Sequence, residues 1–238
     1  MVPSRHRGQG LQALVDRQVR LWRLEKKSAK DLDRKHKTWP LICVSREFGS
    51  QGARIGKIAA EKLEFSYWDQ ELVHTVAEET GTHESLLESL DEHARSALED
   101  TLADMWFGSV GTEVEYVRQV GKVAHTIDHH GSAVVIGRGV QFMLPSERML
   151  RVRVVADTKF RVKSFSDRSG VSHESAEKQI VSVERDRHEY YRRYFNKDVT
   201  EPSHYDLLIN AGTLSLEKGA DIIIAAYKTK FGSLPKGS

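Results

Sequence analysis

Five short apolar runs, each followed by a segment of helical spacing, constrain this chain more than any other feature. The runs are "LICVS" from Leu41, "FSYWD" from Phe65, "SAVVIG" from Ser132, "RVRVVA" from Arg151 and "YDLLINAG" from Tyr205. Strand-like runs that alternate with helices predict an α/β fold with a mainly parallel central sheet. Ile55, Ile58, Ala59 and Leu63 recur at helical spacing after the first run, and "QELVHTVAEETG" follows the second, ending at Gly81. Thr82, with Ser85 nearby, is the expected start of a helix carrying Leu86, Leu87 and Leu90. The pattern continues through Leu98, Leu102, Met105 and Trp106 and breaks at Gly108 and Gly111. Val117, Val120, Ala124 and Ile127 mark a helix over about 113–129, before the third run.

After the fourth run, residues 158–195 are charged and helical in pattern, interrupted at "SGVSHES", where Ser172 offers a helix start. A last helix is expected over about 215–230. Ahead of the first run, Leu11, Leu14, Val15, Val19 and Trp22 give residues 11–37 an amphipathic helical pattern, and Pro40 then punctuates the chain. The expected organisation is an amino-terminal helical extension, 1–38, and a main domain, 39–238. The extension's apolar stripe should pack on the domain or on a second subunit, the latter giving a homodimer.

Composition narrows the function classes. No apolar run approaches the roughly 20 residues of a membrane-spanning helix, and the basic start "MVPSRHRGQG" lacks the apolar core of a secretory signal. The single cysteine, Cys43, excludes an intrachain disulfide framework and reads as a packing residue inside a strand. The cytoplasm is the default compartment on these grounds. A net charge of +2 gives no global electrostatic case for nucleic acid. Charge is nonetheless segregated: 17–37 and Arg185–Lys197 are basic, and 78–104 is acidic. RNA binding through "YYRRYF" and the basic amino-terminal segment would need aromatic and basic residues on one surface.

Between the first strand and its helix lies "REFGSQGAR". A glycine turn there can aim several backbone N–H groups at one point beside the positive end of a helix, which suits phosphate. The stretch Gly49, Ser50, Gln51, Gly52, Ala53, Arg54 is therefore the candidate nucleotide cradle. Glycine turns of this kind are common, and the loop alone is weak support.

The wider sequence resembles the cytidylate kinase-like branch of the P-loop nucleoside monophosphate kinases, over nearly all of residues 41–230. "ICVSREFGSQGARIGKIAAEKLEFSYWDQELV" is similar to that branch's opening strand, loop, helix and second strand. "VVIGRG" resembles its central strand, "RVRVVAD" and the charged region after it resemble the next strand and an arginine-rich lid, and "YDLLINAGTLSLEKGADII" its last strand and helix. The resemblance implies a P-loop three-layer fold with a helical lid over about 160–198, ATP with Mg²⁺ as donor, and a small phosphate-bearing acceptor such as a nucleoside monophosphate. An ordinary cytidylate kinase loop ends Gly-Lys-Ser/Thr, where this chain has Gly52, Ala53 and Arg54. The branch itself reads Ser-Arg-Glu-Tyr/Phe-Gly-Ser-x-Gly at this place. Ile136 stands where ordinary cytidylate kinases have Asp, and Thr75 where they have an acceptor-site arginine.

Against that background Arg54 is the candidate replacement for the lysine's charge, since a guanidinium binds phosphate bidentately. A solvated arginine at a helix start is its bland counterpart, and Lys57, one turn on, reads as a surface residue. Glu47 is the candidate Mg²⁺ ligand through water, with an Arg46–Glu47 contact across the turn an equal alternative. The resemblance puts Asp69 and Arg138 at the acceptor. Asp69 is also a good helix cap, and Arg138 lies at the carboxyl edge of its strand, where ligands of open α/β sheets collect. Among Arg168, Arg185, Arg187, Arg192 and Arg193 of the lid, Arg185 and Arg192 share a helix face and are the foremost candidates to stabilise a transferring phosphoryl group. His125, Asp128, His129 and His130 read as a polar helix end, because no third metal ligand at fitting spacing is evident. The function expected is transfer of the ATP γ-phosphoryl to a nucleoside monophosphate or similar acceptor; the alternative is a nucleotide-binding sensor or interaction protein without turnover.

Overall fold

The computed structural model describes residues 13–24, 39–78, 80–105 and 112–232. A helix over 13–24, α1, precedes β1 (Leu41–Arg46), α2 (Gly52–Leu63), β2 (Ser66–Trp68), α3 (Gln70–Glu78), α4 (Thr80–Leu87), α5 (Glu92–Met105) and α6 (Thr112–His130). Then come β3 (Ala133–Ile136), β4 (Met149–Val155), α7 (Thr158–Ser169), α8 (His173–Phe195), β5 (Leu207–Asn210) and α9 (Leu216–Phe231). The chain divides into two compact units: 1–39 with 68–132, and 40–67 with 133–238.

The second unit is an α/β fold built on a parallel five-stranded sheet of order β2-β3-β1-β4-β5. Central β1 pairs in parallel with β3 (Val44 opposite Ile136) and with β4 (Val44 opposite Val152), and β4 pairs in parallel with β5. Side chains of a strand alternate between faces, and Ile42 and Val44 join Val134, Ile136, Val152 and Val154 in one apolar cluster. Ile55, Ala59 and Ala60 of α2 and Ile223 and Tyr227 of α9 close that cluster, all at most 1% exposed. Each large side chain so buried contributes roughly 1.5–3 kcal/mol. At the far end of α9, Tyr227 donates its hydroxyl to the Pro40 carbonyl at 2.7 Å. Cys43 is buried in β1, as expected of a packing residue.

Caps place the later helices. Asp157 accepts from Phe160 N–H at the start of α7, Ser172 from Ser175 N–H at the start of α8, and Ser215 from Lys218 N–H at the start of α9.

In the first unit α3, α4 and α5 each pack on α6. Val73, Val76, Leu86, Leu98, Leu102, Val117, Val120 and Ile127 are buried. Helix α4 begins at Thr80, so Gly81 lies inside its first turn and does not end the helix before it. Glycine is well accepted at helix starts. Within this unit the stripe of α1 is covered: Val15, Val19 and Trp22 are buried, and Trp22 stacks on His130 with ring centroids 3.9 Å apart. Leu14, Leu21 and Leu24 stay exposed. Leu11, Trp106, Gly108, Gly111 and the part of the expected amino-terminal helix beyond residue 24 lie outside the described residues. No helix among the described residues is long and apolar enough to cross a membrane.

Candidate functional site

The candidate site begins where β1 ends. Glu47 N–H donates to the Val154 carbonyl at 3.0 Å and carries the β1–β4 pairing one residue past the strand. The chain then turns at Gly49, whose φ of 86° suits glycine and where an added Cβ would lie 2.7 Å from the Arg161 carbonyl oxygen. Ser50 closes the turn by donating both its N–H (3.2 Å) and its hydroxyl (2.8 Å) to the Glu47 carbonyl. Gln51 is left-handed, with φ of 63°, and its side chain leaves the helix start uncapped. The amides of Arg54 and Ile55 donate to the Gln51 carbonyl. Those of Gly52 and Ala53, at the positive end of α2, have no intrahelical acceptor.

Helices α7 and α8 reach this loop from the other end of the sequence. Glu184 Oε1 accepts from Phe48 N–H at 2.6 Å and from Arg187 at 3.2 Å. The same guanidinium donates to the Arg46 carbonyl at 3.1 Å and lies 5.5 Å from the centre of the Phe48 ring. Phe48 also meets Phe165 of α7 at 4.8 Å between ring centroids. Glu47 Oε2 accepts from Ala156 N–H at 3.0 Å and lies 3.6 Å from Arg161 Nε. A charged acceptor on a backbone N–H makes a strong hydrogen bond, so Glu47 and Glu184 hold the loop from two sides.

Arg46 sends its side chain inward from the end of β1. A Cβ on Gly52 would lie 2.7 Å from Arg46 Cβ, and a Cβ on Gly137, after β3, only 2.0 Å from the Arg46 guanidinium. Burial, and then the charge of nearby Arg187, push Arg46 down to about 10, with Arg138 adding to the effect. Burial also lowers Arg187, against the pull of Glu184. Arg54 by contrast is exposed and donates to the Gln51 side chain at 2.8 Å. Lys57 is exposed too.

Arg138 is half-buried at the carboxyl end of β3, with φ of 58°, and its carbonyl accepts from the Tyr190 hydroxyl at 3.3 Å. Arg185 is exposed beside Asp186, at 3.2 Å. Exposed Arg192 lines an open cavity of about 510 Å³ along α8 with Asp186, Glu189, Tyr190, Arg193 and Tyr194. Asp69 belongs to the first unit, where its carboxylate accepts from Leu72 N–H at 2.8 Å and starts α3. Glu47 Oε2 is engaged by Ala156 and Arg161, and no group of three potential ligands occurs among the described residues.

The cytidylate kinase-like family matches residues 41–213. This chain belongs to that family. The match runs from the start of β1, through the loop, α7 and α8, to the residues after β5. The family member is 33% identical over 81 residues to a cytidylate kinase of Sulfolobus acidocaldarius, covering 34% of this chain and 44% of that protein. It is 26% identical over 99 residues to a uronate isomerase of Corynebacterium glutamicum, covering 41% of this chain and 19% of that one. The chain thus spans less than half the length of either curated relative in these matches. An uncharacterized protein from Eubacterium ventriosum superposes with a TM-score of 0.65 at 20% identity, over 81% of this chain and 99% of that one, a likeness of fold.

Two participants in the site of this cytidylate kinase-like chain are not marked by its sequence. Glu184 and Arg161 are separated from the loop by more than a hundred residues, and nothing local marks them as its partners. The i, i+3 spacing of Glu184 and Arg187 was the one available signal. Glu47 pairs with Arg161 across the fold at 3.6 Å.

Proposed function

We propose that this protein is a nucleotide-dependent phosphotransferase that moves the γ-phosphoryl of ATP to a nucleoside monophosphate or a similar small, phosphate-bearing acceptor. The observation that carries the reading is the junction of loop and lid: the uncapped start of α2 lies in a turn that α8 grips through Glu184 and Arg187. Phosphoryl transfer needs positioning and charge stabilisation more than covalent chemistry, and such a junction supplies both. The loop Gly49–Arg54 cradles the donor phosphates through the amides at the start of α2, those of Gly52 and Ala53, with Arg54 at the rim. Arg138 receives the acceptor, and Arg185 and Arg192 move in from the lid when both substrates are bound. Mg²⁺ arrives with the triphosphate as part of the substrate, held by phosphate oxygens and water. Glu47 acts through the shape of the loop.

A second reading is nucleotide binding without turnover, favoured by the exposure of Arg185 beside Asp186. One experiment separates the two. The full chain is incubated with ATP and Mg²⁺, with each nucleoside monophosphate in turn and with no acceptor, and products are resolved chromatographically. Acceptor-dependent diphosphate supports the kinase and names its substrate. ATP binding with only the blank rate for every acceptor removes the monophosphate kinase reading and leaves the second.

A further inference from the structure

Arg46 was passed over at the sequence level as a turn residue, yet the fold is cut to fit its side chain. Two glycines stand where any larger residue would collide with it. One is Gly52, the first residue of α2, and the other is Gly137, at the carboxyl end of β3. The arginine therefore runs from the start of the helix toward the neighbouring strand end, beneath the turn. Arg187 reaches the same spot from α8 and donates to the Arg46 carbonyl. Arg138 follows Gly137 directly. Arg46 and Arg187 thus meet at the sheet edge where the loop begins.

Gathering like charges out of water is unfavourable, and it lowers the affinity of each for its proton. Arg46 shows this, with burial and then Arg187 pushing it down. Glu184 faces Arg187, but its Oε1 is shared with Phe48 N–H. Guanidiniums are shaped to bind an oxyanion bidentately, and two that converge on a glycine turn at a helix start suit a multiply charged one. Resting on the phosphotransferase reading, we propose that Arg46 and Arg187 are the receptor for the terminal phosphate of the donor. In this arrangement Arg46 supplies from within the fold the main charge that the comparison with the missing lysine assigns to Arg54. Exposed Arg54, tied to Gln51, makes the lesser contribution.

The test titrates the full chain calorimetrically with two probes, ATP with Mg²⁺ and inorganic tripolyphosphate. Wild type is compared with Arg46→Met, Arg46→Lys, Arg187→Gln and Arg54→Ala, and each protein's melting temperature is measured in phosphate-free buffer. Arg46→Met should weaken both probes by at least about tenfold and Arg187→Gln by about fivefold, the loss of charge-assisted contacts. Arg46→Lys should recover part of the affinity, and Arg54→Ala should lose less than about threefold, as an exposed cation does. The melting temperature of Arg46→Met shows whether that variant is folded. Wild-type affinity in folded Arg46→Met overturns the inference, as does a larger loss in Arg54→Ala. If Arg46→Met does not fold, Arg187→Gln decides alone, and unchanged affinity there overturns it. Wild-type protein that transfers phosphoryl while these variants bind normally defeats only this inference. Wild type that binds neither probe defeats the phosphotransferase reading with it.

Discussion

Strands β1 and β4 present two unlike faces. Toward α2 and α9 they send Ile42, Val44, Val152 and Val154 into a largely aliphatic cluster. On the other face, one residue out of phase, they bury Ser45 and Arg153, with Arg153 donating to the Ser45 hydroxyl at 2.9 Å. Tyr205, whose hydroxyl donates to the Val199 carbonyl at 2.7 Å, lies with its ring centre 5.8 Å from that guanidinium. The same backbone thus supplies stability from one side and buried polar groups from the other. Buried polar groups cost free energy unless each finds a partner. The first face should therefore answer to volume and the second, with the loop at its edge, to charge and hydrogen bonding.

The largest effect should come from the apolar face. Ile223, fully buried in α9, should cost about 2–5 kcal/mol on truncation to Ala, transfer and cavity terms together. Urea unfolding reads this, and the ATP affinity of the folded fraction should not move. A large change in affinity would break the division of labour between the faces. Next comes Gly52→Ala at the seam. The added Cβ meets Arg46 Cβ at 2.7 Å and Val154 Cβ at 2.9 Å, overpacking that should cost about 1–3 kcal/mol. In an Arg46→Gly background the same substitution should cost less. A double-mutant cycle with no coupling would mean that Arg46 does not set the space at the start of α2.

The two faces were not equally legible in the sequence. Period-two and period-3.6 patterns identify strands and helices whose apolar faces are buried, so all five strands and the helices of the second unit were found near their observed bounds. Ser172 was recognised as a cap because capping is chemistry within a few residues. The site is legible only where it is local. The glycine turn could be read, and so could the carboxyl-edge position of Arg138 on β3. What the sequence does not encode locally is which arginine goes inside. Arg46, Arg54, Arg185 and Arg187 look alike in one dimension. Only packing against Gly52, Gly137 and Phe48 sends Arg46 and Arg187 inward and leaves Arg54 and Arg185 exposed.

Glu184 tests the charge-sensitive region at smaller scale. It is 18% exposed and serves as acceptor for both Phe48 N–H and Arg187. Glu184→Gln keeps the shape and removes the charge, so it should cost about 1–2 kcal/mol. Amide exchange at Phe48 should speed up, and the affinity for ATP should fall several-fold as the loop loses its brace. If exchange at Phe48 stays at the wild-type rate, α8 does not hold the loop.

The smallest effect belongs to a polar clamp within the scaffold. Asp206, just before β5, accepts from Arg151 N–H and from the Arg151 guanidinium, each at 2.8 Å, and from Lys230 of α9 at 2.9 Å. Burial raises its pKa, but the hydrogen bonds from Arg151 and Lys230 outweigh this and hold it at about 2. A carboxyl depressed in the folded state lends stability above its unfolded pKa, near 4, and loses it as pH falls toward 2. Allowing for solvent at a side chain 21% exposed, the contribution is roughly 1 kcal/mol. The difference in unfolding free energy between wild type and Asp206→Asn should therefore be near that value at pH 5 and shrink between about pH 4 and 2. Taking the difference removes the other carboxylates, which titrate in the same range in both proteins. Because the clamp ties β4 to α9 away from the loop, ATP affinity at pH 7 should be equal in the two. A difference that stays constant with pH would show that Asp206 acts by shape alone. A loss of affinity would show that the clamp at the end of α9 reaches the loop through the sheet.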